Sequence, residues 1–294
     1  MSGPTEDLPR SRSFRSQRLR LHFVDWGNES APPLVLVHGG RDHARSFDDV
    51  ALALRGAWHV VAPDLRGHGD SDWAAGGSYA LAELVLDLAA LVDQLGPSPV
   101  VLVGHSLGGA VVLHYAGLRP ERVAKVVAIE GLGASPAMRA ELLAQSAAER
   151  LARFVDAVRA SDAREPRVYA TLDAAAERMR EQHPFLSREL ALHLARHAAR
   201  QREDGSWVWK YDPYILTPSA ARPDYAGLEA LWARIACPVL LVRGATSWAS
   251  DPVLDGRAAA FRAARLVNVA DAGHWVHHER REAFLAALLA FLAE

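Results

Sequence analysis

One short stretch of the 294-residue chain carries the residue types of an activated nucleophile. Val100-Val101-Leu102-Val103 runs straight into Gly104-His105-Ser106-Leu107-Gly108, and Leu107 opens a helical pattern. An apolar strand, G-x-S-x-G and a helix, in that order, is the context in which the serine of this motif stands exposed on a sharp turn. Such a turn is strained and leaves no room for side chains two residues to either side, which is why Gly104 and Gly108 flank Ser106. A serine hydroxyl also needs a base brought from elsewhere in the fold. The chain has 13 histidines, so position must select among them. Ala270-Asp271-Ala272-Gly273-His274-Trp275 follows the last strand run and presents His274 from a glycine turn, which makes it the candidate general base. His277 and His278 beside it read as a polar helix start. Attack on an acyl carbonyl further requires donors for the developing oxyanion. The run at residues 34–37 ends in His38-Gly39-Gly40-Arg41, where glycines let main-chain N–H groups approach a substrate, and the helix N-terminus at Leu107 offers a second donor. Gly40 is the candidate in the first loop and Arg41 the runner-up.

The elements that must hold these residues alternate along the chain. Val-rich apolar runs at residues 34–37, 59–62, 100–103, 124–129, 239–242 and 266–269 are bounded by Pro and Gly and separated by helical spacing, notably at 81–95, 107–118 and 281–292. This pattern specifies an α/β fold, with parallel strands covered on both faces and joined by crossover helices. Residues 19–25 alternate apolar and polar side chains and read as an antiparallel edge strand at the front. The alternation stops between about 134 and 231, where Ala, Arg, Glu and Leu dominate in helical patterns broken near Pro166, Pro184 and Gly205. An insertion between two strands of one sheet is expected over the C-terminal strand ends, as a lid. The expected organisation is a disordered tail at 1–16, a core of 17–133 and 232–294, and a helical cap at 134–231. Within the cap, Trp207-Val208-Trp209-Lys210-Tyr211 alternates like a short strand that faces either a cavity or the core. His193 and His197 lie one helical turn apart, but no third ligand or H-E-x-x-H pattern accompanies them, so they read as a solvated face.

Composition excludes several classes. Lys and Arg number 33 against 35 Asp and Glu, a formal charge of −2 that provides no field to hold a nucleic acid. Apolar residues make up 50% and charged ones 23%, the proportions of a packed globular protein. The single cysteine, Cys237, excludes an intrachain disulfide and a Cys-based zinc cage, and beside Pro238 it reads as core. Arg10, Arg12 and Arg15 lie in a polar N-terminal stretch that lacks the apolar run of a signal peptide. No segment approaches the roughly 20 apolar residues of a membrane span, so a cytoplasmic protein is expected, and no motif calls for a cofactor or a metal.

On these residues the chain resembles the α/β-hydrolase superfamily. His38-Gly39-Gly40, Asp64-Leu65-Arg66-Gly67-His68-Gly69-Asp70-Ser71, Gly104-His105-Ser106-Leu107-Gly108-Gly109 and Gly273-His274 stand in the family's order across nearly the whole chain. His43-Ala44-Arg45-Ser46-Phe47-Asp48 is similar to the serine-hydrolase-like branch of capped members. The resemblance implies a mostly parallel eight-stranded sheet, a helical cap between strands six and seven, and the order nucleophile, acid, histidine. It also implies that Asp64 to Ser71 form a structural turn. The acid departs from the family's pattern: most members carry G-x-x-D after strand seven, whereas Gly244-Ala245-Thr246-Ser247 has serine there. Two carboxylates are left as substitutes. Asp251 lies in the same loop but precedes Pro252 and looks like a helix N-cap. Glu130 ends an apolar strand at the catalytic edge, where a buried carboxylate is costly unless a partner such as a catalytic histidine meets it. Similar placement after strand six occurs among haloalkane dehalogenases, and Glu130 is preferred, with Asp251 the alternative.

Ser106 disfavours epoxide hydrolase and dehalogenase chemistry, since those relatives need aspartate at that position. The expected activity is hydrolysis of a small or medium-sized ester, or a related acyl bond, through an acyl-enzyme. Cofactor-free perhydrolase or haloperoxidase chemistry, carbon–carbon bond hydrolysis, and a slow ligand-binding receptor are the alternatives. Trp207, Trp209, Trp248 and Trp275 are the candidate apolar contacts for that small-molecule substrate, with Arg41 a candidate for a substrate carboxylate.

Overall fold

A computed structural model of the chain describes residues 9–294. The chain opens with strands β1 (Arg10–Ser16), β2 (Leu19–Asp25) and β3 (Pro33–Val37), followed by helix α1 (Asp48–Leu54) and β4 (His59–Pro63). Helix α2 (Leu81–Gln94), β5 (Val100–His105), α3 (Leu107–Leu118) and β6 (Val123–Ile129) complete the first half. The segment that follows holds helices α4 (Pro136–Ala144), α5 (Ala147–Asp162), α6 (Leu172–Gln182) and α7 (Arg188–Ala198) and a hairpin of β7 (Ala199–Gln201) and β8 (Trp207–Trp209). Helix α8 (Tyr225–Trp232), β9 (Val239–Gly244), β10 (Ala264–Val269), α9 (Val276–Glu279) and α10 (Arg281–Ala293) close the chain. Eight strands form one sheet in the order β1-β2-β4-β3-β5-β6-β9-β10, with β2 alone running against the others, mostly parallel as the resemblance implies. Among the described residues no helix is long and apolar enough to cross a membrane.

Successive residues of a strand point to opposite faces, and here both faces are covered. Val35, Val37, Leu102, Val126 and Leu241 pack beneath α2, α3 and Trp232 of α8. Leu34, Leu36, Val101, Val103 and Leu240 pack against α1 and against Phe284 and Leu288 of α10. Helices α6 and α7 bury a small core of their own around Ala176, Leu186, Ala191 and Leu194. Cys237 packs against the first layer, where burial pushes its thiol up to about 11.

Three expectations are corrected. Residues 10–16 are not a disordered tail: β1 pairs with β2 residue for residue, from Arg10 opposite Asp25 to Ser16 opposite Leu19. Phe14 supplies its apolar anchor, edge-on to Phe23 with ring centroids 6.0 Å apart, and Arg12 Nε lies 2.9 Å from Asp25 Oδ2. The sheet edge is therefore β1, and β2 lies inside it. Second, α8 falls in the expected cap except for its last residue, Trp232, but packs on the core, Leu228 included. Trp232 stacks on Phe261 at 5.0 Å, and a Cβ on Gly117 of α3 would stand 2.4 Å from the Leu231 carbonyl oxygen. Third, the face of α7 that carries His193 is only partly solvated, because it also meets the start of α1, with His193 Nε2 3.2 Å from Asp48 Oδ2.

The turn that carries Ser106 admits only glycine at its flanks. A Cβ on Gly108 would come within 2.2 Å of the Val37 carbonyl oxygen, and one on Gly104 within 2.3 Å of the Gly108 carbonyl oxygen. Backbone cannot yield as a flexible side chain does, so Gly108→Ala should lower the free energy of unfolding by about 3 kcal/mol, in the range of overpacked cores. Urea denaturation followed by circular dichroism checks this, and an unchanged midpoint would show that α3 can move away from β3.

Candidate active site

Ser106 sits between the end of β5 and the start of α3 with φ 50° and ψ −113°, a strained backbone for a residue other than glycine. The strain is held from two sides. Its N–H donates to the Ile129 carbonyl at 2.8 Å, and its carbonyl accepts from Ala110 N at 3.1 Å.

His274 arrives on the loop between β10 and α9. Glu279 clamps that loop by accepting from Gly273 N at 2.7 Å and from Trp275 N at 3.0 Å. His105 Nε2 donates to the His274 carbonyl at 2.9 Å, which leaves His105 Nδ1 unprotonated. Burial, then the neighbouring His274, push His105 down to about 3, so it stands beneath the site as a neutral imidazole.

Glu130 immediately follows β6 with φ 53°, and its side chain is fully buried. The turn aims the carboxylate at the histidine loop, where Oε2 lies 3.4 Å from His274 Nδ1. Two donors hold it there: Gly244 N to Oε1 at 2.8 Å and Ser247 Oγ to Oε2 at 2.7 Å. Ser247 is the residue where most members of the family carry aspartate, and here that position donates a hydrogen bond to the Glu130 carboxylate. Sequence reasoning set Ser247 aside because it cannot hold an imidazolium; its hydroxyl was the available signal. Asp251 is elsewhere. Its Oδ1 accepts from Val253 N and Leu254 N and its Oδ2 from Asn268 Nδ2 at 3.0 Å; burial pushes its pKa up, but these bonds outweigh it and hold the group below the usual range. The structure thus brings Glu130, not Asp251, to His274.

Just beyond Glu130 the chain leaves the sheet, and Arg257 holds its departure. Buried itself, it donates through Nη1 to the carbonyls of Leu132, Gly133 and Ala134 at 3.5, 3.1 and 3.3 Å, and through Nη2 to Ser250 Oγ at 2.9 Å.

Ser106, Leu107, Gly40, Arg41 and His274 line one cavity of about 320 Å³. Residues from the inserted segment roof it, including Met179, His183, Trp209 and Leu216. Of the four candidate tryptophans, Trp209 and Trp275 line the cavity. Trp207 does not; it lies on the outer part of the hairpin, where its main chain bridges to Tyr169. Trp248 is exposed and covers His274 from outside with ring centroids 5.2 Å apart. His183, which sequence reasoning missed, stacks on Trp275 at 4.6 Å; burial, then the Arg41 charge, push its pKa down. Only its place at the end of α6 identifies it, and no motif marks it.

His277 is not part of a polar helix start. It is buried against Phe47 at 4.8 Å, with neither ring nitrogen hydrogen-bonded, and burial drives its pKa far down. Near it Asp42 is buried, with Oδ1 accepting from His43 N at 2.9 Å and Oδ2 unpartnered, and burial raises it to about 7. Asp64, in contrast, is filled by structure, accepting from His22 Nδ1, Ala44 N and Asp70 N at 2.7, 2.7 and 2.9 Å. Burial pushes Asp64 up, but His22 outweighs it and holds the carboxyl well below the usual range, as befits the structural turn that the sequence implied.

A serine at the tip of a central parallel strand, with a histidine loop beyond the last strand, is the α/β-hydrolase arrangement, and the chain belongs to that superfamily: the alpha/beta hydrolase fold family matches residues 32–281. It is 30% identical over 292 residues to esterase Rv0045c of Mycobacterium tuberculosis, covering 97% of this chain and 89% of that protein. A crystal structure of that esterase superposes with a TM-score of 0.73 at 25% identity, covering 100% of this chain and 93% of the other. The chain is 34% identical over 239 residues to a 3-hydroxybutyrate-oligomer hydrolase of Cupriavidus necator, covering 78% and 77% respectively. The thioesterase domain from the curacin biosynthetic pathway shares the fold, with a TM-score of 0.84 over 97% of this chain and 100% of that one at 24% identity.

Proposed function

We propose that the protein is a serine hydrolase that cleaves small or medium-sized carboxylic esters through an acyl-enzyme, with Ser106 as nucleophile, His274 as base and Glu130 as acid. The observation that carries this reading is the shared cavity of Ser106 and His274 together with the buried Glu130 Oε2 at 3.4 Å from His274 Nδ1. Ser106 Oγ attacks the carbonyl carbon and His274 Nε2 takes its proton. Glu130 holds Nδ1–H and stabilises the imidazolium. The main-chain N–H groups of Leu107 and Gly40 receive the oxyanion. The leaving alcohol takes the proton from His274, and water, deprotonated by the same ring, releases the acid.

The names of the relatives support ester cleavage. The cavity volume lies at the lower end of ligand sites, which suits a short or medium acyl chain, with Arg41 placed for a carboxylate and Trp209 and Trp275 for apolar groups. The inserted helices act as the cap over this site, and the protein works without a cofactor.

Reaction with a fluorophosphonate tests the proposal. Wild type should gain one phosphonyl group on the peptide that contains Ser106, and nitrophenyl esters from acetate to octanoate should be hydrolysed with a preference for the shorter members. No adduct at Ser106 and no ester turnover would sink the reading.

A further inference from the structure

His193 and His197 lack a third ligand in sequence, and the fold supplies one. We propose that Asp48, His193 and His197 form a binding site for a borderline divalent cation such as Zn²⁺, joining the inserted segment to the core. The proposal stands apart from the hydrolase reading.

Spacing of i and i+4 sets the two rings on one face of α7, with centroids 5.0 Å apart. Across from them Asp48 opens α1, and one donor atom from each of the three residues lies within 4.8 Å of the others. Two imidazoles and a carboxylate are the donor set of zinc sites that keep a fourth position for water. His193 Nε2 now shares its proton between Asp48 Oδ2 at 3.2 Å and the Arg45 carbonyl at 3.3 Å, and a cation would take that proton's place. Arg45 faces the same carboxylate, with Nε 2.8 Å from Oδ1 and Nη2 2.6 Å from Oδ2. A carboxylate offers about four lone-pair positions, so the Arg45 fork leaves others for a metal. The ring of His43 stands 6.1 Å from that of His197 and completes the surroundings.

Access separates this cluster from two similar ones among the described residues. Asp42, His105 and His277 are enclosed beneath the active site, and Asp64 of the His22–Asp64–Asp70 cluster is committed to backbone donors. Arg45, Asp48 and His193 instead line an open cavity of about 550 Å³, which gives an ion a way in.

The test is competition of untagged protein with a chromophoric chelator for Zn²⁺. One equivalent should bind at micromolar concentration, and Asp48→Asn and His197→Gln should each weaken it at least about tenfold. Zn²⁺ should also raise the urea midpoint of wild type but not of either variant. Should a variant fail to fold, wild type alone decides: Co²⁺ should broaden the proton signals of the His193 and His197 rings before those of other histidines. No binding, unchanged affinity in both variants, or broadening that spares these two rings would each overturn the site.

Discussion

Glu130→Gln should lower kcat on a nitrophenyl ester about 10,000-fold, the cost of a triad acid turned into an amide that favours the wrong histidine tautomer. An amide nitrogen in place of Oε2 would meet the His274 Nδ1 proton with its own, and would lose the bond now accepted from Ser247. Ser106→Ala should cost more, on the order of a million-fold, because it removes the nucleophile itself. Asp251→Asn should stay within about threefold of wild type, since its oxygens cap a turn and meet Asn268 rather than His274. Ser247→Ala takes only one neutral donor from Glu130 and should fall between, at about tenfold. Steady-state kinetics with active-site titration separates these outcomes. A severe Asp251→Asn beside a mild Glu130→Gln would return the acid to the loop after β9.

Acidification should unfold the protein steeply near pH 5. Burial first of all, opposed in part by Asp64 at His43 and Asp49 at His278 and helped by the charges of neighbouring histidines, pushes His43, His68 and His105 down to about 3 and His278 to about 4, and drives His277 further down. Each of these folded-state values lies below the ordinary imidazole value near 6.5. The stability tied to neutral rings is therefore fully present above about pH 6.5 and is lost as pH falls below it, because the unfolded chain then binds more protons. Each ring contributes a slope of up to about 1.4 kcal/mol per pH unit, so five contribute about 7. Asp42 works in the opposite direction. Its raised value of about 7 means that stability is regained as pH falls from 7 toward 4, which takes back about 1.4 kcal/mol per unit. These six groups together cost between about 5 and 6 kcal/mol per unit, which exhausts a typical domain stability of roughly 5–15 kcal/mol within one to three units, and His38 and His197, also pushed down by burial, add to the loss. Far-UV circular dichroism against pH measures the midpoint, and a chain still folded at pH 4 would show that the rings can charge in place.

The sequence carried most of what faces inward. Val-rich runs found six of the eight sheet strands to within a few residues, because a strand buried on both faces needs apolar residues throughout. The strain at Ser106 was legible from Gly104 and Gly108, and the proximity of Glu130 to His274 from the cost of a carboxylate at a buried strand tip. Strand β1 was hidden because its stability comes from main-chain pairing and from one aromatic, Phe14, in a stretch otherwise made of Arg and Ser. Its turn carries Gln17 and Arg18 at positive φ, without the Asn or Gly that would announce a hairpin. His277 and His183 were misread or missed for another reason: nothing local reports which residues of distant segments close over a ring. Ser247 shows the limit of motif reading, since a residue that breaks a pattern still takes part through what its hydroxyl can donate.

The path of the chain after Glu130 bears on how the roof can move. Glu130 is the first residue past β6, and the inserted segment starts within a few positions of it, so any swing of that segment would pull directly on the carboxylate if nothing lay between. Arg257 lies between. By gripping three consecutive carbonyls from Leu132 to Ala134 while its other nitrogens hold Ser250 and Asp255, it moors the departing chain to the loop after β9, the strand that pairs with β6. Along the chain, that mooring stands between the acid and the first of the helices above it.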